Sequence, residues 1–176
     1  MADITGMLQA AAGNAGEDVD PDFANTVLLL HGDGTNGAQN NTFLDSSTNN
    51  FTITRNGNTT QGTFSPFSLA EGQFSNFFDG SSALSFEPGS ITIDSGTDFC
   101  IEAWVYPTNL SAVNGGIFQA GTDTGSLAFR HNTDGTLRVL ASAVAFQLDT
   151  TTALTNNEWY HIAATRGSGT LRIFIN

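Results

Sequence analysis

Glu102 and Asp98 are the first residues to weigh for chemistry, because they lie four positions apart on one apolar run. Hydrolysis of a glycosidic bond needs two carboxyl groups flanking it, one as nucleophile or base and one as acid. On an extended strand, Glu102 shares its face with Cys100 and Trp104, and neither is a carboxylate. His31, His131 and His161 are scattered and show no metal-ligand spacing. No serine stands in a nucleophile elbow. No catalytic residue is assigned, and the chain is expected not to be an enzyme.

A hard cation is better provided for. Asp33 and Asn36, in the Gly-rich loop 32–37, and Asp45 in a later turn offer the oxygen ligands that calcium takes. The same residues serve ordinary turns by bonding their own backbone, and the spacing is not a defined calcium loop. A structural Ca2+ is therefore the one cofactor in view. For sugar, Trp104, Tyr106, Trp159 and Tyr160 are the best stacking groups, but strand aromatics usually belong to the core. The carbohydrate-binding residues are left unknown. Cys100, between Phe99 and Ile101, reads as a small buried hydrophobe; as the only cysteine it forms no internal disulfide.

The charge balance narrows the partners. There are 17 acidic residues against 5 basic ones, no lysine, and a net charge of −12. The arginines, at 55, 130, 138, 166 and 172, form no cluster that could grip a phosphate backbone. Nucleic acid is excluded as a partner, and anionic membrane surfaces are disfavoured for the same reason. No apolar run is long enough to span a bilayer, and Met1-Ala2-Asp3 lacks the basic start of a secretory signal. Synthesis in a cytoplasm follows, with export by assembly into a particle.

The elements that position these groups are strands. Charged residues make up only 12% of the chain, so its exposed surface rests on Asn, Thr, Ser and Gln, which suits strands and turns. Strand-prone runs are predicted at 26–30, 51–55, 83–86, 90–93, 99–106, 116–119, 126–130, 136–141, 144–148, 159–166 and 170–175. Asn132-Thr133-Asp134-Gly135 and Gly167-Ser168-Gly169 signal two tight hairpins. In run 99–106 both alternating faces are largely apolar, which predicts a central strand covered on both sides. Glu102 would then need an arginine or backbone donors.

Residues 1–22 differ from the rest. A short helix capped by Asp3 or Thr5 is predicted through Met7 and Leu8, ending at Gly13, with an acidic linker to Asp22. Its alternative is a disordered tail. We expect an arm that orders on a partner, with Met7 and Leu8 as docking residues. The domain assignment is arm and linker 1–22, then one all-β domain over 23–176.

At this point a family resemblance enters. Phe78-Asp79-Gly80 followed by Leu84 and Phe86, then the run 98–107 with Glu102, Ala103 and Trp104, resembles laminin-G-like jelly rolls of the concanavalin A-like class. Trp159-Tyr160-His161-Ile162-Ala163 and Gly169 to Asn176 are similar to later strands of those domains; Cys100 departs from their usual threonine. The resemblance covers roughly 26–176 and implies a two-sheet antiparallel jelly-roll sandwich. The segments 26–34 and 43–47 are similar to versions found in tailed-phage virion proteins. That implies a virion location, with the arm docked on other virion proteins and the jelly roll acting as tail fibre or adhesin towards a host surface glycan. The alternatives are a capsid decoration or head-fibre protein without glycan binding, and a secreted carbohydrate-binding or glucanase-like domain. Family members usually continue past the last strand matched here. Either the chain is a piece of a longer protein, or a neighbouring copy completes the sheets; a homo-oligomer is expected.

Overall fold

The structure, a computed structural model, describes residues 21–32, 34–35, 37–38, 42–67, 74–89, 97–112, 114–121, 127–141 and 146–176. The predicted arm with Met7 and Leu8, the ligand candidates Asp33 and Asn36, and the predicted strand 90–93 lie outside the described residues. The chain is all-β. Among the described residues the only helical element is a 3-10 turn, Phe23–Asn25, and none of them form a helix long and apolar enough to cross a membrane. Backbone contacts divide the chain into two compact units, Met1–Pro88 and Gly89–Asn176.

In the first unit β1 (Thr54–Asn56) pairs with β4 (Ala83–Ser85), and β2 (Thr60–Gly62) pairs with β3 (Ser75–Phe77), both antiparallel. The strand predicted at 26–30 is replaced by an extended segment in which only Leu30 forms an isolated bridge, to Asp45. Side chains compete with the ladder there. Leu29 N–H donates to Asp45 Oδ1 at 2.9 Å, while Ser47 Oγ and Asn49 Nδ2 both donate to Val27 O at 3.0 Å. Strands β2 and β3 were not predicted. β2 turns the polar Gln61 inward, so no apolar alternation marks it.

The second unit is a two-sheet sandwich. β5 (Phe99–Val105), β10 (Tyr160–Gly167) and β11 (Thr170–Ile175) form one sheet in the order β11-β10-β5. β6 (Gly115–Ala120), β7 (Leu127–His131), β8 (Thr136–Ala141) and β9 (Phe146–Ala153) form the other in sequence order. Alternation aims Leu127 and Phe129 of β7, Leu137 and Val139 of β8, and Ile162 and Ala164 of β10 into one shared core, all fully buried. Phe99, Ile101, Ala103 and Val105 of β5 pack against it. Burying each larger side chain contributes about 1.5–3 kcal/mol.

Both predicted hairpins form. Between β7 and β8, Gly135 takes φ +83 and Asp134 Oδ1 accepts from Thr136 N at 3.0 Å. Between β10 and β11, Ser168 and Gly169 both have positive φ, as a two-residue type I′ turn requires.

β5 departs from the prediction. Among the described residues it is the outer strand of its sheet, and Cys100, Glu102 and Trp104 are exposed. Glu102 therefore needs no buried arginine, because its carboxylate meets solvent; its partner is His161, 3.5 Å away across the strands. Cys100 is likewise exposed rather than a core residue. Its thiol is still pushed up in pKa, first by partial desolvation among neighbouring strand atoms and then by the Glu102 charge.

Candidate functional site

The outward face of the β11-β10-β5 sheet gathers the chemistry. Cross-strand register sets Trp104 opposite His161, Glu102 opposite Ala163 and Cys100 opposite Thr165. On the far side of β10, Phe174 lies opposite Ala163 and Arg172 opposite Thr165. Residues directly opposite in an antiparallel pair share a face. That face opposes the core because Ile101, Ala103 and Val105 alternate inward.

Two ring contacts follow one another along this face. Trp104 and His161 have ring centroids 5.3 Å apart, inclined at 40°. One register step past the Tyr160–Val105 pair, Tyr106 and Trp159 also lie at 5.3 Å, inclined at 53°. Trp104 remains 38% exposed and Phe174 51% exposed. Between them the small Ala163 forms a low point flanked by Glu102 and Phe174. An exposed indole offers a face for stacking, and the carboxylate and imidazole beside it can accept or donate hydrogen bonds. Asn176 Oδ1 accepts from the His161 backbone N–H at 2.7 Å and holds the end of β10 to the chain terminus.

The carboxylates do not pair. Asp98 accepts from Arg166 Nη1 and from Ser168 N–H, both at 3.1 Å, and so braces the β10–β11 turn. Tyr160 turns its hydroxyl to Glu158 Oε2 at 2.6 Å and to Thr155 Oγ1 at 2.8 Å, tying down the loop before β10. The Tyr160 hydroxyl first, and then the Thr155 hydroxyl, which donates to the same Oε2 at 2.8 Å, hold the Glu158 carboxyl below its ordinary pKa.

Asp45, the described member of the proposed calcium set, is a buried hub. Its Oδ1 accepts from Leu29 N and Ser47 N, and its Oδ2 from Ser47 Oγ and Phe51 N, all at 2.8–2.9 Å. Burial alone would raise its pKa; the Leu29, Phe51 and Ser47 amides and the Ser47 hydroxyl together outweigh that and lower it. A carboxylate has about four lone-pair sites, and four donors fill them. Nearby, the buried Gln61 accepts from Gly34 N at 2.7 Å and donates to Thr42 O at 2.8 Å, pinning both ends of the 34–42 loop. No group of three His, Cys, Asp or Glu able to hold a metal occurs among the described residues. A shallow recess of about 330 Å³ in this unit, lined by Thr52, Thr54, Ser85, Phe86 and Glu87, carries a single carboxylate.

The aromatic face was missed from sequence because its residues look as apolar as the core-facing ones. Glu102, set between Cys100 and Trp104, was the signal that this side meets water.

Residues 78–176 match a family model described as the concanavalin A-like lectin/glucanases superfamily. No curated protein and no solved structure matches the chain. The segments 26–34 and 43–47 lie outside the matched range.

Proposed function

Because the chain belongs to the concanavalin A-like lectin/glucanases superfamily, we propose that it is a non-catalytic attachment module of a tailed-phage virion, binding host-surface carbohydrate through its aromatic sheet face. The observation that carries the binding part is the exposed Trp104 in ring contact with His161, beside Glu102. Aromatic stacking with adjoining polar groups is a sugar-binding chemistry, and the superfamily includes lectins. Binding is favoured over hydrolysis because Glu102 faces a histidine and Asp98 is engaged at the other end of the strand.

The virion context rests on the opening segments 26–34 and 43–47, with residues 1–22 as the arm that docks on other virion proteins. A glycan screen with the whole protein, read by intrinsic tryptophan fluorescence, tests the binding part. Saturable quenching that Trp104→Ala removes supports it; no glycan response from the folded protein overturns it. Imaging of particles carrying labelled protein tests the location. Label at the tail or on projecting fibres supports attachment, and label spread over the head makes this a decoration protein.

A structural Ca2+ is proposed for loop 32–37, through Asp33 and Asn36. Asp45 would join it only by giving up amide donors that already saturate it. A rise in Tm on adding calcium, reversed by a chelator, supports this; an unchanged Tm rejects it.

A further inference from the structure

The outward face of the other sheet carries an arginine that meets no counter-charge among the described residues. Arg130 of β7 lies directly opposite Arg138 on one side and Gly116 on the other. Its neighbours Phe129 and Leu127 are in the core, so alternation places Arg130 on the outer face. Its Nε is buried and meets no acceptor among the described residues. A desolvated guanidinium N–H without an acceptor is costly, and like charges directly opposite across strands add to the cost.

Among the described residues no acidic side chain relieves this one. The nearest in register is Asp149, opposite Arg138, and its carboxylate is full. Oδ1 accepts from Arg138 Nε at 2.5 Å; Oδ2 accepts from Arg138 Nη2 at 3.0 Å and from Gln147 Nε2 at 2.7 Å. Arg138 is thus neutralised and Arg130 is not.

The other side of Arg130 is open. Gly116 is exposed, and a side chain there would meet no atom within 4 Å. A β-bulge between Gly116 and Phe118 interrupts the ladder beside it. Bulges of this kind re-aim side chains next to binding sites. In the neighbouring row, the exposed Gln119 and Gln147 present amides.

We propose that Arg130 and the bare backbone at Gly116 form a subsite for the carboxylate of an acidic sugar, with the ring lying over the glycine. This rests on the carbohydrate-binding reading and names the class of glycan, a uronic acid or another carboxylated residue. The guanidinium fork pairs end-on with a carboxylate through two parallel hydrogen bonds from its terminal nitrogens, which supplies the counter-charge while Nε stays buried. The open, flat row suits a ring better than a peptide side chain, which would need a pocket.

The test is NMR of the whole protein, following the arginine Nε–Hε signals during titration with sodium glucuronate, glucose, sodium acetate and a glutamate-rich peptide. The expected result is a saturable shift of the Arg130 signal by glucuronate at millimolar concentration, none with glucose, and acetate weaker by about tenfold or more. In Arg130→Gln, which lacks that signal, glucuronate should shift none of the remaining arginine signals. Gly116→Asp places an internal carboxylate beside Arg130, so it should keep the fold, raise Tm and abolish glucuronate binding. No shift with glucuronate, or a glucuronate response that survives Gly116→Asp, overturns the proposal. An equal response to acetate reduces the site to a bare anion contact, and preference for the peptide makes it a protein contact; both overturn the sugar assignment. Loss of this site would leave neutral-glycan binding at Trp104 intact, so the two readings fail separately.

Discussion

Arg138 of β8 grips Asp149 of β9 through two parallel hydrogen bonds, Nε to Oδ1 at 2.5 Å and Nη2 to Oδ2 at 3.0 Å. The Arg138 hydrogen bonds hold the Asp149 carboxyl at a pKa of about 2, with Gln147 and Asn132 assisting. The folded value lies below the ordinary 3.8, so the pair stabilises the fold fully above about pH 4. That contribution fades as the pH falls towards 2. The pair is partly exposed, and the expected cost of Asp149→Asn at neutral pH is about 1 kcal/mol or less. Urea denaturation from pH 7 to pH 2 should show the mutant's deficit shrinking through the acid limb.

Asp45 should be far less replaceable. It is 4% exposed and is the common acceptor for Leu29, Ser47 and Phe51. Asp45→Ala strands these amides, with an expected loss of about 3–5 kcal/mol. Hydrogen exchange at those three amides should accelerate well beyond exchange in β7 and β8. Its lowered pKa has the same sign: the stabilisation is present above the ordinary carboxylate range and disappears as acid protonates the folded form.

Trp104→Ala separates binding from folding. The indole lies on the outward face and is 38% exposed, so its removal should cost under about 1 kcal/mol in thermal or urea unfolding. Glycan affinity should fall by about tenfold or more, as expected for loss of a stacking platform. Phe129→Ala is the contrasting case. That ring is fully buried in the sandwich core, and its loss should cost about 3–5 kcal/mol.

Gly135→Ala tests the β7–β8 turn. The residue holds φ +83, and a Cβ there would stand 2.7 Å from Leu154 O, which belongs to the segment that hydrogen-bonds back to Gly135. A destabilisation of about 1–3 kcal/mol is expected by calorimetry. Asp134→Ala, which removes only the side-chain bonds to Thr136, should cost less.

The local signals in the sequence located the described strands of the second unit and both of its hairpins, although β9 runs on to Ala153, beyond the predicted end at 148. β8 and β11 occupy the runs predicted for them, because alternating apolar residues and a Gly-bearing turn need only near neighbours to act. The acidic balance, with the expectation against nucleic acid that it carries, was also legible without any structure, since charge sums do not depend on the fold. Which of two apolar-looking faces meets the core depends on what packs there from distant parts of the chain. Tertiary structure alone therefore decided that Trp104 and Cys100 are exposed while Ile101 and Ala103 pack inward. It likewise decided that Asp45 is filled by amides from 16 residues before it and 6 after. Arg130 is set against Arg138 rather than a carboxylate by strand register, which is fixed only when β6, β7, β8 and β9 have paired.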